Sequence, residues 1–154
     1  MPPEYKIVIA DTSCFILLDK INSFSILHQL FTTVSTTFEI ANEYTKSLPE
    51  WVQIRNPTHT NLQAILELEV DKGEASAICL AMEEDLSLLI IDDLKARKVA
   101  DKLKINYTGT LGILLKAKEQ GILNSIRPLL DKIQQTNFRF SDKVFNDILK
   151  FAGE

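Results

Sequence analysis

KIVIAD, at residues 6–11, decides the fold, because it is an apolar run of strand length that stops at an acid. The stretch SLLIIDD, at residues 87–93, repeats this pattern and stops at two acids. Apolar residues at successive rather than alternating positions indicate strands that are buried on both faces. Such strands occur in parallel sheets covered by helices on both sides, so the two runs predict an α/β fold.

The segments around these runs carry helical spacing, as in Ala75, Ile78, Cys79 and Met82. Strands that alternate with helices predict a three-layer α/β/α sandwich with a central, mainly parallel sheet. No boundary or repeat divides the chain, so we expect a single domain over 1–154. We predict strands at 6–10, 34–35, 52–54, 87–91 and 105–107, helices near 15–18, 24–31, 38–46, 62–66, 74–84, 96–103, 110–120, 126–133 and after Ser141, and a connector or edge strand at 137–140.

Charge and composition exclude several function classes. The 154 residues include 17 Lys and Arg against 21 Asp and Glu, which argues against a protein that binds polyanions by bulk charge. The net charge does not exclude a nuclease whose active site is formed by acidic residues. Two histidines and two distant cysteines, Cys14 and Cys79, lack the spacing of a zinc site. Lone thiols, no membrane-spanning run and no signal peptide in residues 1–6 lead us to expect a cytoplasmic protein without a membrane partner.

Acidic residues stand where the predicted strands end. Asp11 follows the first run, and Asp92 and Asp93 follow the second. Glu43 and Glu74 lie in helices that are expected to begin at the same edge of the sheet. Because ligand crevices of open parallel sheets lie beyond the carboxyl ends of the strands, we expect these carboxylates to converge on one crevice.

Helix capping is the alternative explanation for most of these acids taken singly. Asp71 and Glu74 fit the N-cap and N3 positions of a capping box. Asp11 and Asp93 suit simple N-caps, each worth about 0.5–2 kcal/mol. Capping does not explain Glu43, which lies too deep in its helix, or the presence of two consecutive acids after the second run.

Clustered carboxylates without His or Cys indicate a hard divalent cation. In a partly dry cleft, such groups either raise their pKa values or hold a cation. An all-oxygen ligand set is typical of Mg²⁺ or Mn²⁺, and these ions support the attack of water on phosphate. The residues alone therefore predict a Mg²⁺ or Mn²⁺ site suited to phosphoryl chemistry and leave the substrate open.

Five blocks of the sequence, in order, resemble the PIN domain family, beginning with a D-[TS]-S motif. The second block is similar to the family's V-x-x-P-x-x-V-x-x-E stretch, and the third resembles the G-E-A-x-A-I helix start of one branch. The resemblance runs from about Tyr5 to the C-terminus, with 122–154 as a helical tail peculiar to that branch. The blocks are IADTS (9–13), VSTTFEIANE (34–43), DKGEASAI (71–78), LIIDDLKAR (89–97) and TGTLG (108–112).

This resemblance implies a metal-dependent ribonuclease that hydrolyses single-stranded RNA, often as the toxin of a toxin–antitoxin pair with a small antitoxin protein. In the family, the matching acids bind Mg²⁺ or Mn²⁺ and drive hydrolysis. A non-catalytic PIN-like module that binds nucleic acid or protein is the alternative. Amphipathic segments at 62–70 and 126–133 fit either a partner surface, as in a homodimer, or a core face. The matching acids are Asp11, Glu43, Glu74 and either Asp92 or Asp93.

The sequence departs from the family pattern at two positions. Thr37 stands where proline is usual, in a stretch (TTFE, 36–39) that fits a second capping box. This departure concerns only the start of the helix. Glu74 stands where many PIN domains carry Asp, so its reach toward a metal differs by one methylene.

Neighbouring polar and aromatic residues are candidates for supporting roles. Thr12, Ser13 and Thr110 fit contacts to Asp11, to a phosphate or to a water, and equally fit hydroxyl caps of free amides. The basic candidates for RNA contacts are Lys95, Arg97 and Lys98, with a solvated helix face as the alternative. Arg97 is favoured because guanidinium binds phosphate through two hydrogen bonds. The aromatic candidates for base stacking are Trp51, Phe138 and Phe140, with ordinary packing as the alternative.

Overall fold

A computed structural model of the protein describes residues 5–154, so the expectation about a signal peptide falls partly on residues 1–4, outside this range. The strands are β1 (Ile7–Ala10), β2 (Val34–Thr36), β3 (Val52–Ile54), β4 (Ser87–Ile90) and β5 (Tyr107–Thr108). They form one parallel sheet in the order β3-β2-β1-β4-β5. The helices of the described range are α1 (Thr12–Lys20), α2 (Ser25–Phe31), α3 (Phe38–Tyr44), α4 (Thr60–Leu66), α5 (Lys72–Met82), α6 (Leu94–Lys102), α7 (Thr110–Glu119), α8 (Arg127–Gln134) and α9 (Asp142–Phe151).

The two apolar runs form the centre of the sheet. β1 pairs with β4 in register from Ile7 opposite Ser87 to Ala10 opposite Ile90, and both strands are buried throughout. The chain runs outward from β1 through β2 to β3 and then crosses to β4 on the other side of β1. The strand order therefore reverses between β1 and β4, which is where open α/β sheets bind ligands beyond the carboxyl ends of their strands.

Helices cover both faces of the sheet, which confirms the predicted three-layer α/β/α fold. α1, α2 and α7 pack together, while α4 packs on α5, which in turn lies against β1 and β4. In the tail, α9 packs on α7. Cys14 and Cys79 are buried, unpaired thiols of this core. None of the helices between residues 5 and 154 has the length and apolar character to cross a membrane.

Several element boundaries differ from the sequence prediction. β5 begins at Tyr107 rather than at Ile105, because the Ile105 N–H donates to Ala100 O (3.0 Å) in the turn that ends α6. α1 begins at Thr12, directly after β1, and not at Phe15. The segment 137–140 is a connector and not a strand.

The second predicted capping box, at 36–39, is wrong. Thr36 belongs to β2, where its hydroxyl donates to Ala10 O (2.9 Å) and ties β2 to β1. Thr37 is the N-cap of α3 instead and accepts a hydrogen bond from the Ile40 N–H (3.2 Å). The same hydroxyl lies 2.6 Å from Ser76 Oγ, so it also joins α3 to α5. Threonine thus provides a helix cap at the position where the similar PIN pattern has proline.

Candidate active site

Asp11 lies directly after β1, at the carboxyl edge of the sheet. Its backbone N–H donates to Ile90 O (3.1 Å), which continues the pairing of β1 with β4 beyond the strand. The residue is only 4% exposed, and its Oδ1 has no hydrogen-bond partner among the described residues. Although Asp11 stands at the N-cap position of α1, its side chain makes no capping hydrogen bond. Capping therefore does not account for this carboxylate.

The surroundings of Asp11 disfavour its charged form. Burial raises the pKa of Asp11 from 3.8 to about 7, and the adjacent backbone N–H of Thr12 offsets this only in part. The negative charges of Asp71, Glu43 and Asp92 raise the pKa further. A buried carboxylate among like charges takes up either a proton or a cation.

Glu43 is placed by three helices. It lies in the second turn of α3, and Thr12 Oγ1 of α1 donates to its Oε2 (2.8 Å). On its other side the carboxylate rests against Gly73, in the first turn of α5. A Cβ at position 73 would overlap Oε1 and stand 2.8 Å from Oε2, so only glycine permits this approach. Thr12 therefore orients Glu43 rather than Asp11.

Asp71 and Glu74 form the predicted capping box at the start of α5. The Glu74 N–H donates to Asp71 Oδ1 (2.8 Å), and the Asp71 N–H donates to Glu74 Oε1 (3.2 Å). Glu74 is buried, and this burial together with the charges of Asp71, Asp11 and Asp93 raises its pKa to about 8. The residue therefore serves both as a capping group and as a member of the acidic cluster.

Asp71 is a member of the cluster that the sequence analysis assigned to capping alone. Among the neighbouring charges that raise the pKa of Asp11, that of Asp71 has the largest effect, and it also raises the pKa of Glu74. The signal in the sequence was its spacing: an acid three residues before Glu74 lies on the same side of the helix start.

The two acids after β4 are held differently. Asp92 accepts hydrogen bonds from the Thr110 N–H (2.8 Å, at Oδ1) and the Thr110 hydroxyl (2.6 Å, at Oδ2), at the start of α7. Asp93 caps its own helix, α6, by accepting from the Ala96 N–H (2.9 Å). The charge of Asp92 acts on Asp11, and that of Asp93 acts on Glu74.

Arg97 lies beside Asp92, whereas the other basic candidates do not contact the acids. Its Nε donates to Ile91 O (2.9 Å), and its guanidinium lies over the ring of Tyr107, 5.5 Å from the centroid. A Cβ at Gly109 would overlap Arg97 Nη2 and stand 2.8 Å from Asp92 Oδ1. Within residues 5–154, Arg97 forms no ion pair. Lys95 and Lys98 are exposed on the same helix.

The remaining candidates divide between the two ends of the sheet. Ser13 Oγ is buried near the acids and has no hydrogen-bond partner in the described part of the chain. Trp51 precedes β3, at the opposite end, and stacks on His28 with ring centroids 5.1 Å apart. Phe138 and Phe140 line a groove that reaches Asp92. A cavity of about 860 Å³ between 55–62 and 80–84 is lined by none of the candidate acids.

The carboxylates share one edge but do not form a complete ligand shell. Between residues 5 and 154, no group of three or more His, Cys, Asp or Glu side chains is arranged to hold a metal ion. Three of the carboxylates are turned toward nearby donors: Glu43 to Thr12, Glu74 to the Asp71 backbone and Asp92 to Thr110. Mutual repulsion favours such an arrangement. The donor set nevertheless fits a hard divalent cation, since it is all oxygen and Asp11 Oδ1 lacks a partner.

Comparison with known protein families assigns the chain to a family. A family model described as a PIN domain matches residues 7–154. The chain belongs to the PIN domain family. The match spans every strand of the sheet and all the candidate acids, so the predicted family is confirmed, and PIN domains are generally nucleases. No curated protein matches the sequence of this PIN domain.

Within this PIN domain, the acidic edge is assembled from distant parts of the chain. Asp11 and Asp92 follow the two central strands, Glu43 comes from α3, and Asp71 and Glu74 come from the start of α5. Two glycines permit the close packing: Gly73 beside Glu43, and Gly109 beside Asp92. The nuclease-type fold thus brings together acids that are far apart in the sequence.

Proposed function

We propose that this PIN domain is an endoribonuclease that uses Mg²⁺ or Mn²⁺ to hydrolyse phosphodiester bonds of single-stranded RNA. The observation that carries the proposal is the buried Asp11 carboxylate, with one unpartnered oxygen, beside the charges of Glu43 and Asp92. Burying such a group is costly unless a cation or a proton neutralises it. Its place at the strand-order reversal, between β1 and β4, is where a substrate would reach it.

The residues that would hold the ion are Asp11, Glu43, Glu74 and Asp92. When bound, the ion supplies charge neutralisation for the attack of water on a phosphodiester. Thr12 fixes the orientation of Glu43, and Thr110 fixes that of Asp92. We assign Asp93 a positioning role, because its carboxylate caps α6 and so fixes the helix that carries Arg97.

Basic residues of α6 would hold the RNA backbone at this edge. Arg97 lies beside Asp92 without an ion pair in the described range, so its guanidinium is available to a phosphate oxygen. Lys95 and Lys98 would add weaker contacts to neighbouring phosphates, since both are exposed on the same helix.

The proposal includes two protein partners, an antitoxin and a second copy of the chain. We infer from the family resemblance that the enzyme is the toxin of a toxin–antitoxin pair, inhibited by a small antitoxin protein, and that it forms a homodimer. Sedimentation of the purified chain, alone and with the product of the adjacent gene, tests both partners. A monomer that binds no such product would contradict them.

Calorimetric titration of Mn²⁺ tests the metal site without any assumption about the RNA. We expect the wild-type protein to bind Mn²⁺, and Asp11→Asn and Asp92→Asn to weaken binding by about tenfold or more. Asp131→Asn is the matched control, because Asp131 is an exposed acid of α8. The same proteins are then incubated with a single-stranded RNA, with Mn²⁺ or with EDTA.

Two results would overturn the proposal. Equal or absent Mn²⁺ binding in all four proteins would leave the acids as structural groups. RNA that is bound but remains intact with Mn²⁺ would favour the alternative, a PIN-like module that binds nucleic acid without cutting it. Cleavage that requires Mn²⁺ and is lost in Asp11→Asn but kept in Asp131→Asn supports the enzyme.

A further inference from the structure

A groove of about 460 Å³ runs from Asp92 to the tail and is not explained by the metal site. It lies between the β5–α7 segment on one side and the connector 137–140 with α9 on the other. We call it the tail groove. Its principal lining residues are Asp92 and Arg97 at one end, and Tyr107, Phe138, Arg139 and Phe140 along its length.

At the Asp92 end of the tail groove, the guanidinium of Arg97 is held in a fixed position. Arg97 is fixed by its hydrogen bond to Ile91 O and by the ring of Tyr107 beneath it. Gly109 leaves the space that the guanidinium occupies next to the Asp92 carboxylate. A phosphate bound there would lie at the proposed metal site, so the tail groove is continuous with the acidic edge.

The other end of the tail groove is a surface of aromatic rings. Phe138 and Phe140 are half-buried, with ring centroids 6.3 Å apart, and Phe140 is stacked on Phe145 of α9 with planes 8° apart. Phe151, also in the lining, remains 78% exposed. The rings are therefore fixed by packing within the tail, while part of their apolar surface remains exposed to solvent.

A second guanidinium stands at the rim. Arg139, which lies between the two phenylalanines in the sequence, is exposed, and its Nη1 donates to Thr136 O. Aromatic rings interleaved with arginine are the surface on which single-stranded nucleic acids stack their bases and place their phosphates. Bulk charge is not needed for this mode, which agrees with the net charge of −4.

We infer that the tail groove binds the base of a nucleotide adjacent to the scissile phosphate of single-stranded RNA. Arg97 holds the phosphate on the side of Asp92, and the base stacks on the connector rings, chiefly on Phe140. This inference rests on the proposed nuclease function and adds to it a substrate subsite formed by the tail.

The charges at the two ends of the groove favour a nucleotide over an apolar peptide helix. Arg97 beside the acidic edge and Arg139 at the rim match the alternation of phosphate and base along a nucleic acid strand. An apolar helix face would offer neither guanidinium an anionic group.

The experiment measures RNA binding without cleavage. Fluorescence anisotropy follows a labelled, mixed-sequence, single-stranded RNA of ten nucleotides with the full chain in EDTA, and each nucleoside is replaced in turn by an abasic one. We expect one or two adjacent abasic positions to weaken binding to the wild-type protein about tenfold, the effect of one lost stack. The other positions should have little effect.

The variant Phe140→Leu tests whether the base at the sensitive RNA position binds in the tail groove. Leucine keeps an apolar side chain against Phe145 but cannot stack on a base, so the fold is retained and is checked by thermal unfolding. We expect intact RNA to bind this variant as weakly as the abasic RNA binds the wild-type protein, with no further loss when the two changes are combined. Phe140→Trp should restore the discrimination. Phe31→Leu, a half-buried ring at the opposite end of the sheet, is the matched control and should bind as the wild type does.

Each other outcome overturns the inference in a recognisable way. If the wild type cleaves RNA but binds it equally well with every abasic substitution, the tail groove does not bind a base. The same conclusion follows if Phe140→Leu still binds one abasic RNA more weakly than the intact RNA. In either case the proposed nuclease function is unaffected. If Phe140→Leu alters only the sedimentation of the chain, the groove is a protein interface. If the wild-type protein neither binds nor cleaves RNA, the proposed function fails together with the inference.

Discussion

At the scale of the residue, the burial of Asp11 makes the charged form of its carboxylate unfavourable in the folded protein. Its pKa is about 7 in the folded protein against an ordinary 3.8, so between about pH 4 and 7 the native state keeps a proton that the unfolded chain has released. The stability that this group contributes is complete below about pH 4 and is lost as the pH rises through 7. We expect Asp11→Asn, without divalent cations, to exceed the wild type in unfolding free energy at pH 8 by on the order of 2 kcal/mol.

Urea denaturation at pH 5 and pH 8 measures this difference, with Asp131→Asn as a control that should follow the wild type at both pH values. Saturating Mn²⁺ should reverse the order at pH 8, because a cation that binds only the native wild-type site stabilises it by mass action. Identical pH dependence in wild type and Asp11→Asn would contradict a buried carboxylate that needs a counter-charge.

At the scale of the element, a glycine in the first turn of α5 lowers the stability of the helix but leaves room for the Glu43 carboxylate. Gly73 lies in the first turn, where alanine would favour the helix by up to about 1 kcal/mol. A Cβ there would displace the Glu43 carboxylate. We therefore expect Gly73→Ala to leave the free energy of unfolding unchanged or slightly higher while Mn²⁺ affinity falls about tenfold.

Calorimetry and urea denaturation of one preparation separate the two effects. Glu43→Gln should show the same loss of Mn²⁺ affinity. Undiminished affinity in Gly73→Ala would mean that Glu43 is not a ligand, even if the helix became more stable as expected.

The elements that depend on burial and periodicity could be predicted from the sequence, whereas those set by contacts between segments could not. KIVIAD and SLLIIDD are apolar at successive positions because β1 and β4 are buried on both faces. The different orientations of Asp92 and Asp93 depend on Thr110, 18 residues beyond Asp92, which no local pattern reveals. The capping box at 36–39 failed for the same reason, since Thr36 is engaged by Ala10 in the neighbouring strand.

At the scale of the whole molecule, the acidic edge depends on parts of the chain that lie far from it in the sequence. Asp11 and Asp92 directly follow the central strands, whereas Glu43, Asp71 and Glu74 need α3 and α5 to meet, through Gly73 and the hydrogen bond between Thr37 and Ser76. The tail adds the aromatic side of the groove, so its attachment to α7 decides whether that groove exists. Stability of the sheet and integrity of the site are therefore separate properties.

Glu154 is the polar attachment of the tail. Its carboxylate accepts hydrogen bonds from Ser125 Oγ (2.5 Å), the Ile126 N–H (2.8 Å) and Lys118 Nζ (3.1 Å), which join the end of the chain after α9 to α7 and to the segment before α8. These bonds, the one from Ser125 above all, lower the pKa of Glu154 to about 2 from 4.5. Its contribution to stability is therefore present above about pH 4.5 and is lost as the pH falls toward 2.

Glu154→Gln tests whether this attachment holds the tail groove together. At pH 7 we expect faster amide hydrogen exchange in α9 and unchanged exchange in β1, because the tail can loosen while the sheet stays folded. The variant should also bind RNA more weakly in EDTA without losing Mn²⁺ affinity, since none of the proposed ligands lies in the tail. As the pH approaches 2, the exchange rates of wild type and variant should converge. Equal exchange in α9 at pH 7 would mean that apolar packing of Ile148 and Leu149 holds the tail without help from the carboxylate.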